Sequence, residues 1–371
     1  MTEIAEAAEA KRAERDRGFH YIGWTGGILP LTLKNALLNI LTLAIYRFWA
    51  KTDVRRHLWR HTHFLGDPLE YTGIGKELFL GFLLVLFVVF VPLAIANELL
   101  LRYLGPFGAT QILSIILVLF LIGVAQYRAR RYRLSRTTWR GIRAAQTGEA
   151  WLYGLKRLGF WILLVPTLGW SYPWQRVHLT QYEMNNTVFG DRKFSFDGSP
   201  RPLYKPFAIA WVISFLIVAV VYLMIIPDFK ADLAQDVVTL EDTGGLSVGI
   251  FRALTIGTTT LLLFLLAAPF IVIWYRVREF AYLISCAEYE GIKFNFDVGY
   301  WHLFRLAVGN YLITFFTLGF GLPIVQTRKF QFFCTHIKVH GSADFDAIHQ
   351  STEDRDKLGE GLADAFDIGD F

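Results

Sequence analysis

Residues Leu78–Ala96, LFLGFLLVLFVVFVPLAIA, carry no charged side chain. A helix needs about 20 such residues to cross the hydrocarbon core of a bilayer. Three further windows have the same character: Phe107–Ala125, reached through a short turn with Gly105-Pro106, then Phe207–Ile226 and Ala253–Tyr275. One such stretch could be a buried core helix of a large soluble protein, but four in one chain read as membrane spans. Pro92 and Pro269 are compatible with this, because neighbouring helices re-satisfy the carbonyls a proline leaves free. Composition agrees: 54% of the 371 residues are hydrophobic and 19% are charged, against about 25% charged in ordinary soluble domains. This excludes a disordered chain and, with two cysteines (Cys286 and Cys334), a disulfide-stapled secreted domain.

Three shorter apolar segments, at about 35–46, 158–175 and 306–327, share a local pattern. They read TLAIYRFW from Thr42, TLGWSYPW from Thr167 and TLGFGLP from Thr317. The first has only 12 uncharged residues between Lys34 and Arg47, too few to cross as a straight helix. A second element recurs five times: THFLGDPLEYTG from Thr62, TTWRGIRAAQTG from Thr137, NTVFGDRKFSFDG from Asn186, AEYEGIKFNFDVG from Ala287 and THIKVHGSADFD from Thr335. Alternation around a central glycine is the pattern of a β-hairpin. The order of these elements, repeated in the two halves, implies internal duplication. Met1–Arg17 has no apolar core and does not read as a signal peptide.

Charge decides between two topologies. If only the four long windows span, 34 Lys and Arg lie on one face and Arg102, Lys230 and Arg252 on the other. If the three short segments also span, the split falls to 22 against 15. The first arrangement is favoured, with every hairpin and both termini on the cytoplasmic side. The expectation is an all-α polytopic membrane protein with four transmembrane helices, three short re-entrant or interfacial segments and short cytoplasmic β-hairpins. Residues 1–18 form an N-terminal arm, 19–341 the membrane domain and 342–371 a tail with nine acids against Arg355 and Lys357.

Thr42–Trp49, the basic Lys51–Arg56 that follows, and THFLGDPLEYTGIGKELFLG from Thr62 resemble the YjgN-like family of uncharacterised bacterial multi-pass inner-membrane proteins. The resemblance covers roughly Phe19 to Gly341. It implies an inner-membrane location and supplies no activity or catalytic residue. One departure is Ala44, where the family pattern has Gly and the later copies keep Gly169 and Gly319.

The sequence lacks GxxxxGK[ST], HExxH, GxSxG and CxxC patterns. His57, His61 and His63 are the tightest histidine group, and the first two, four apart, could share a helix face, but no Cys or carboxylate pair nearby completes a metal shell. They read as part of an interfacial basic helix, and no metal and no cofactor is expected. Seven arginines between Arg128 and Arg143 follow directly on a span. That position favours anionic lipid headgroups over nucleic acid, with Arg128, Arg130, Arg131 and Arg133 as the contacts. Polar groups at membrane depth are functional suspects: Lys34, Asn35, Asn39, Lys156, Arg157, His302, Arg305 and Asn310 are the candidates to line a pathway between repeats. A small-solute transporter or channel is the first reading, a non-catalytic lipid-interacting or membrane-organising protein the second, and a membrane enzyme the least supported.

Overall fold

The computed structural model describes residues 18–104, 109–238, 257–258, 270–341 and 343–350. It divides into two compact units: 1–199 with 283–297 and 306–371, and 200–282 with 298–305.

In the first unit every short apolar segment becomes the first arm of a helical pair. The pairs are α1 (Leu29–Leu41) with α2 (Arg47–His61), α6 (Ala150–Leu164) with α7 (Tyr172–Asn185), and α10 (Tyr300–Phe316) with α11 (Leu322–His336); α10 begins in the second unit. The three connecting turns have the same conformation. Leu43 and Ala44, Leu168 and Gly169, and Leu318 and Gly319 all have φ between 48° and 87°. The N–H of the second residue reaches back five positions, Ala44 to Asn39 O (2.7 Å), Gly169 to Leu164 O (2.8 Å) and Gly319 to Thr314 O (2.9 Å). This is the Schellman ending of a helix. The preceding threonine serves both arms. Thr42 Oγ1 donates to Leu38 O (2.7 Å) and accepts from Tyr46 N (2.9 Å), and Thr167 and Thr317 repeat the arrangement. Pro173 and Pro323 then stand in the first turn of the second arm, where a missing N–H costs nothing. The two arms differ in chemistry: α1 presents Leu33, Leu37, Ile40 and Leu41 outward, whereas α2 reads RFWAKTDVRRHLWRH.

Each returning helix passes straight into a strand. Thr62, Thr137 and Thr187 bond the carbonyl four residues back (2.7–2.9 Å) as their helices end. The hairpins turn with positive φ at both central residues in Leu65-Gly66, Arg140-Gly141 and Glu290-Gly291, the type I′ geometry that matches strand twist. They do not stand alone. β1 (Phe19–Tyr21), β2 (Thr62–Phe64), β3 (Asp67–Tyr71), β4 (Thr137–Trp139), β5 (Ile142–Gln146), β6 (Thr187–Phe189) and β7 (Arg192–Lys193) form a seven-stranded antiparallel sheet in chain order. β8 (Ser195–Phe196), β9 (Ala287–Tyr289), β10 (Ile292–Phe296) and β11 (Ile337–His340) form a second sheet of four. The registers include Leu69 opposite Trp139, Ala145 opposite Val188 and Phe294 opposite Val339. The all-α expectation is therefore corrected: the chain is mostly helical, but its hairpins pair with one another into sheets because each outer strand offers a free edge.

Three helices among the described residues are long and apolar enough to cross a membrane: Gly75–Tyr103, Ile112–Ser135 and Arg201–Ala219. The first consists of α3 (Gly75–Val85), a π-helical turn (Leu86–Phe90) and α4 (Val91–Leu104). At that turn Val91 N–H reaches five residues back to Leu86 O, just before Pro92, which has no N–H to give. Its partner α5 (Ala109–Ser135) also packs tightly on α6, where a Cβ on Gly123 would come 2.9 Å from Gly154 Cα; small residues permit such backbone approach. The fourth expected span, 253–275, lies mostly outside the described residues. In the second unit α8 (Arg201–Val238) carries the apolar window, and Phe207 packs on Tyr275 of helix α9 over 270–285 (5.6 Å between centroids). There Arg276 pairs with the fully buried Glu279 at 2.8 Å.

Candidate functional site

Two cavities stand out among the described residues of the first unit. The smaller, about 210 Å³, sits between the α1–α2 pair and the turn that starts α11. From α1 it receives Asn35 and Asn39, from α2 Arg47 and Lys51, and from α11 Gln326. Asn35 is 3% exposed; its Nδ2 donates to Ala50 O at 3.4 Å, and its Oδ1 has no partner. Asn39 Oδ1 is likewise buried and unpaired. The Arg47 guanidinium lies over the rings of Phe48 (4.9 Å) and Phe82 (5.1 Å), which hold its plane by cation–π contact. Arg47 and Leu322 are also the first residues of α2 and α11, so two helix N-termini meet at the cavity.

The second cavity, about 420 Å³, lies along the α6–α7 pair and is lined by Lys156, Phe160, Trp174, His178 and Tyr182. Lys156 Nζ sits 4.5 Å from the Tyr182 ring centre, and the rings of Phe160, Trp174 and His178 meet in a cluster with centroids 4.9–6.3 Å apart.

The residues expected to line one pathway thus fall in different places. Asn35 and Asn39 face the first cavity and Lys156 the second. Lys34 forms an ion pair with Asp53 at 3.5 Å instead. Arg157 packs its side chain against Gly123. Asn310 is buried on α10 with Oδ1 unpaired, and His302 and Arg305 belong to the second unit. Sequence reasoning missed Arg47, Lys51 and Gln326. The first two are four apart on one helix face directly after the turn, a spacing that could have drawn attention.

The arginine run is engaged with the protein itself. Arg130 pairs with Glu183 (2.9 Å) and Thr187 (3.2 Å). Arg131 donates to the carbonyls of Gln146 and Gly148, and Arg136, 4% exposed, grips Glu77 through two nitrogens at 2.8–3.1 Å. Arg128 and Arg133 are half-buried on the same helix. His57 and His61 stack with ring centres 4.2 Å apart, and His61 Nδ1 meets His57 O at 2.7 Å. Among the described residues there is no group of three His, Cys, Asp or Glu side chains placed to hold a metal.

The family model described as bacterial protein of unknown function, DUF898, matches residues 17–365. The chain belongs to the DUF898 family. The inner membrane protein YjgN of Salmonella typhimurium is 31% identical over 78 residues, which are 21% of this chain and 20% of that protein. No solved structure matches. With three helices suited to spanning, this DUF898 chain is a membrane protein.

Proposed function

We propose that this DUF898 protein is a non-catalytic, lipid-interacting protein of the bacterial inner membrane, with its three helical pairs set shallowly into the cytoplasmic leaflet. One observation carries the reading: the turn leucines Leu43, Leu168 and Leu318 are 90%, 71% and 86% exposed, each beside further exposed apolar residues. Three identical turns that each present a leucine outward are costly in water and natural in lipid. The polar second arms, α2 above all, fit the headgroup level rather than the hydrocarbon core. The inner-membrane location follows the name of the Salmonella relative, and the leaflet follows the 34-to-3 distribution of basic residues. A multi-pass chain built from duplicated halves belongs to the same proposal. A solute pathway has less support, because the polar residues expected to line it are dispersed.

Spin labels on cysteines replacing Leu43, Leu168 and Leu318, in nanodiscs, test this. Oxygen should relax them strongly and a water-soluble nickel chelate weakly. Water-accessible labels at all three tips would overturn the proposal.

A further inference from the structure

We propose that the cavity between α1, α2 and the start of α11 binds a phosphodiester whose alcohol carries hydrogen-bond donors, in the membrane the headgroup of a glycerophospholipid such as phosphatidylethanolamine or phosphatidylglycerol. The proposal rests on the lipid-facing reading of the helical pairs and adds a site and a ligand class to it.

Three features of the cavity converge on an anion. Arg47 and Lys51 bring two positive charges, and among the described residues no acidic side chain lines the space. The N-termini of α2 and α11 both lie at it; the connecting turns already take most of their first N–H groups, so what they contribute is the partial positive charge of a helix N-terminus. Arg47 is steadied by the rings of Phe48 and Phe82, contacts that use none of its N–H donors and leave them for an oxygen pair.

The amides narrow the choice. Asn35 and Asn39 each hold a buried Oδ1 without a partner, and buried polar atoms are normally hydrogen-bonded. A bare phosphate diester offers only acceptors and would leave these oxygens unsatisfied. Once the two amides turn toward the cavity, an ammonium or hydroxyl next to the phosphate supplies the missing donors, whereas the quaternary ammonium of choline has none. Size agrees. At about 210 Å³ the cavity falls below the roughly 300–1,000 Å³ of sites for drug-sized ligands, and suits a headgroup with its chains outside. Phe320 and Leu322 at the rim are exposed and apolar, as chains leaving the cavity require.

The test uses the full chain, purified in detergent and exchanged with equimolar phosphatidylethanolamine, phosphatidylglycerol and phosphatidylcholine, with retained lipid read by native mass spectrometry. The first two should exceed phosphatidylcholine by at least tenfold. The R47Q/K51Q variant should lose retention of all three, while Asn35→Leu with Asn39→Leu should bring phosphatidylcholine level with the others. Equal retention by the unaltered protein would overturn the site and leave the tip depths, and so the lipid-facing reading, untouched. Should the double variants fail to fold, the comparison of lipids on the unaltered protein decides alone. Free glycerophosphoethanolamine and glycerophosphoglycerol form the last arm. Displacement of lipid by either at low millimolar concentration would make the soluble phosphoester the ligand and overturn the lipid assignment; no displacement supports the headgroup.

Discussion

Single side chains on the hairpin side of the first unit carry measurable consequences. Burial pushes the Cys334 thiol up to about 11, whereas Cys286 is half-buried. The thiolate is the reactive form, so N-ethylmaleimide at pH 7.5 should label Cys286 and spare Cys334 in the folded protein, with peptide mass spectrometry as the readout. Glu77 accepts from Tyr132 and from the buried Arg136. Removing one partner of a buried pair strands the other, at a cost of about 3–5 kcal/mol. Glu77 is itself 27% exposed, so Glu77→Gln should fall at the lower end, about 3 kcal/mol, in denaturant unfolding. His57 is held below its ordinary 6.5, first by burial and then by His61. Its folded form resists protonation more than its unfolded form, so the stability it lends is full above pH 6.5 and declines as the pH falls from there. Replacing His57 with Gln should flatten that part of the stability profile. Asn35 and Asn39 were legible in the sequence because amides stand out in an apolar run. Arg47 and Lys51 were not, since they merge into a basic block whose members differ only in which face of α2 they occupy.

At the level of the element, the shared turn of the three helical pairs explains the Ala44 departure. Ala44 keeps φ at 66°, close to the 87° and 86° of Gly169 and Gly319, so the backbone demand persists although the glycine is gone. An L-residue pays roughly 1–2 kcal/mol there, partly offset by the greater entropy that glycine loses on folding. Ala44→Gly should therefore stabilise the protein by about 0.5–1 kcal/mol, and Gly319→Ala should destabilise it by a similar amount, as thermal unfolding in detergent would register. Four of the five expected hairpins were legible for the same reason as the helical turns, since glycines and their neighbours announce a local conformation; the fifth copy, from Thr335, supplies only the strand β11, which pairs back on β10. Their union into sheets was not, because strand partners come from positions far apart in the chain, such as Tyr71 and Thr137, and nothing local names the partner of a free edge.

Over the whole first unit the hairpin tips form a surface that the chain covers with its own residues 343–350. Phe345 meets Trp139 at 5.0 Å, Phe64 at 6.0 Å and Tyr289 at 6.5 Å, three rings from three hairpins. Ile348 is buried, and Gln350 accepts from Arg143 N (2.9 Å) and donates to Gly141 O (3.1 Å). The start of the expected acidic tail thus reaches the arginine-rich segment through the Phe345 ring and the Gln350 amide; its acids beyond residue 350 lie outside the described residues. Deleting residues 343–371 should raise amide hydrogen exchange at the four tips around Gly66, Gly141, Gly190 and Gly291, and Phe345→Ala should reproduce most of the rise. Unchanged exchange in both would mean that the tips hold their geometry unaided.

The shallow seating proposed for the three helical pairs has a mechanical corollary. A helix with its side chains is about 10–12 Å across, so each one lying in a leaflet displaces on the order of 100 Å² or more of lipid area. Three apolar arms placed in one monolayer, with no counterpart among the described residues in the other, expand that monolayer more than its partner. A sheet with unequal monolayer areas relaxes by bending, convex on the expanded side. The protein should therefore concentrate where the bilayer bulges toward the cytoplasm, and in flat vesicles of limited lipid supply it should generate such curvature in proportion to its density.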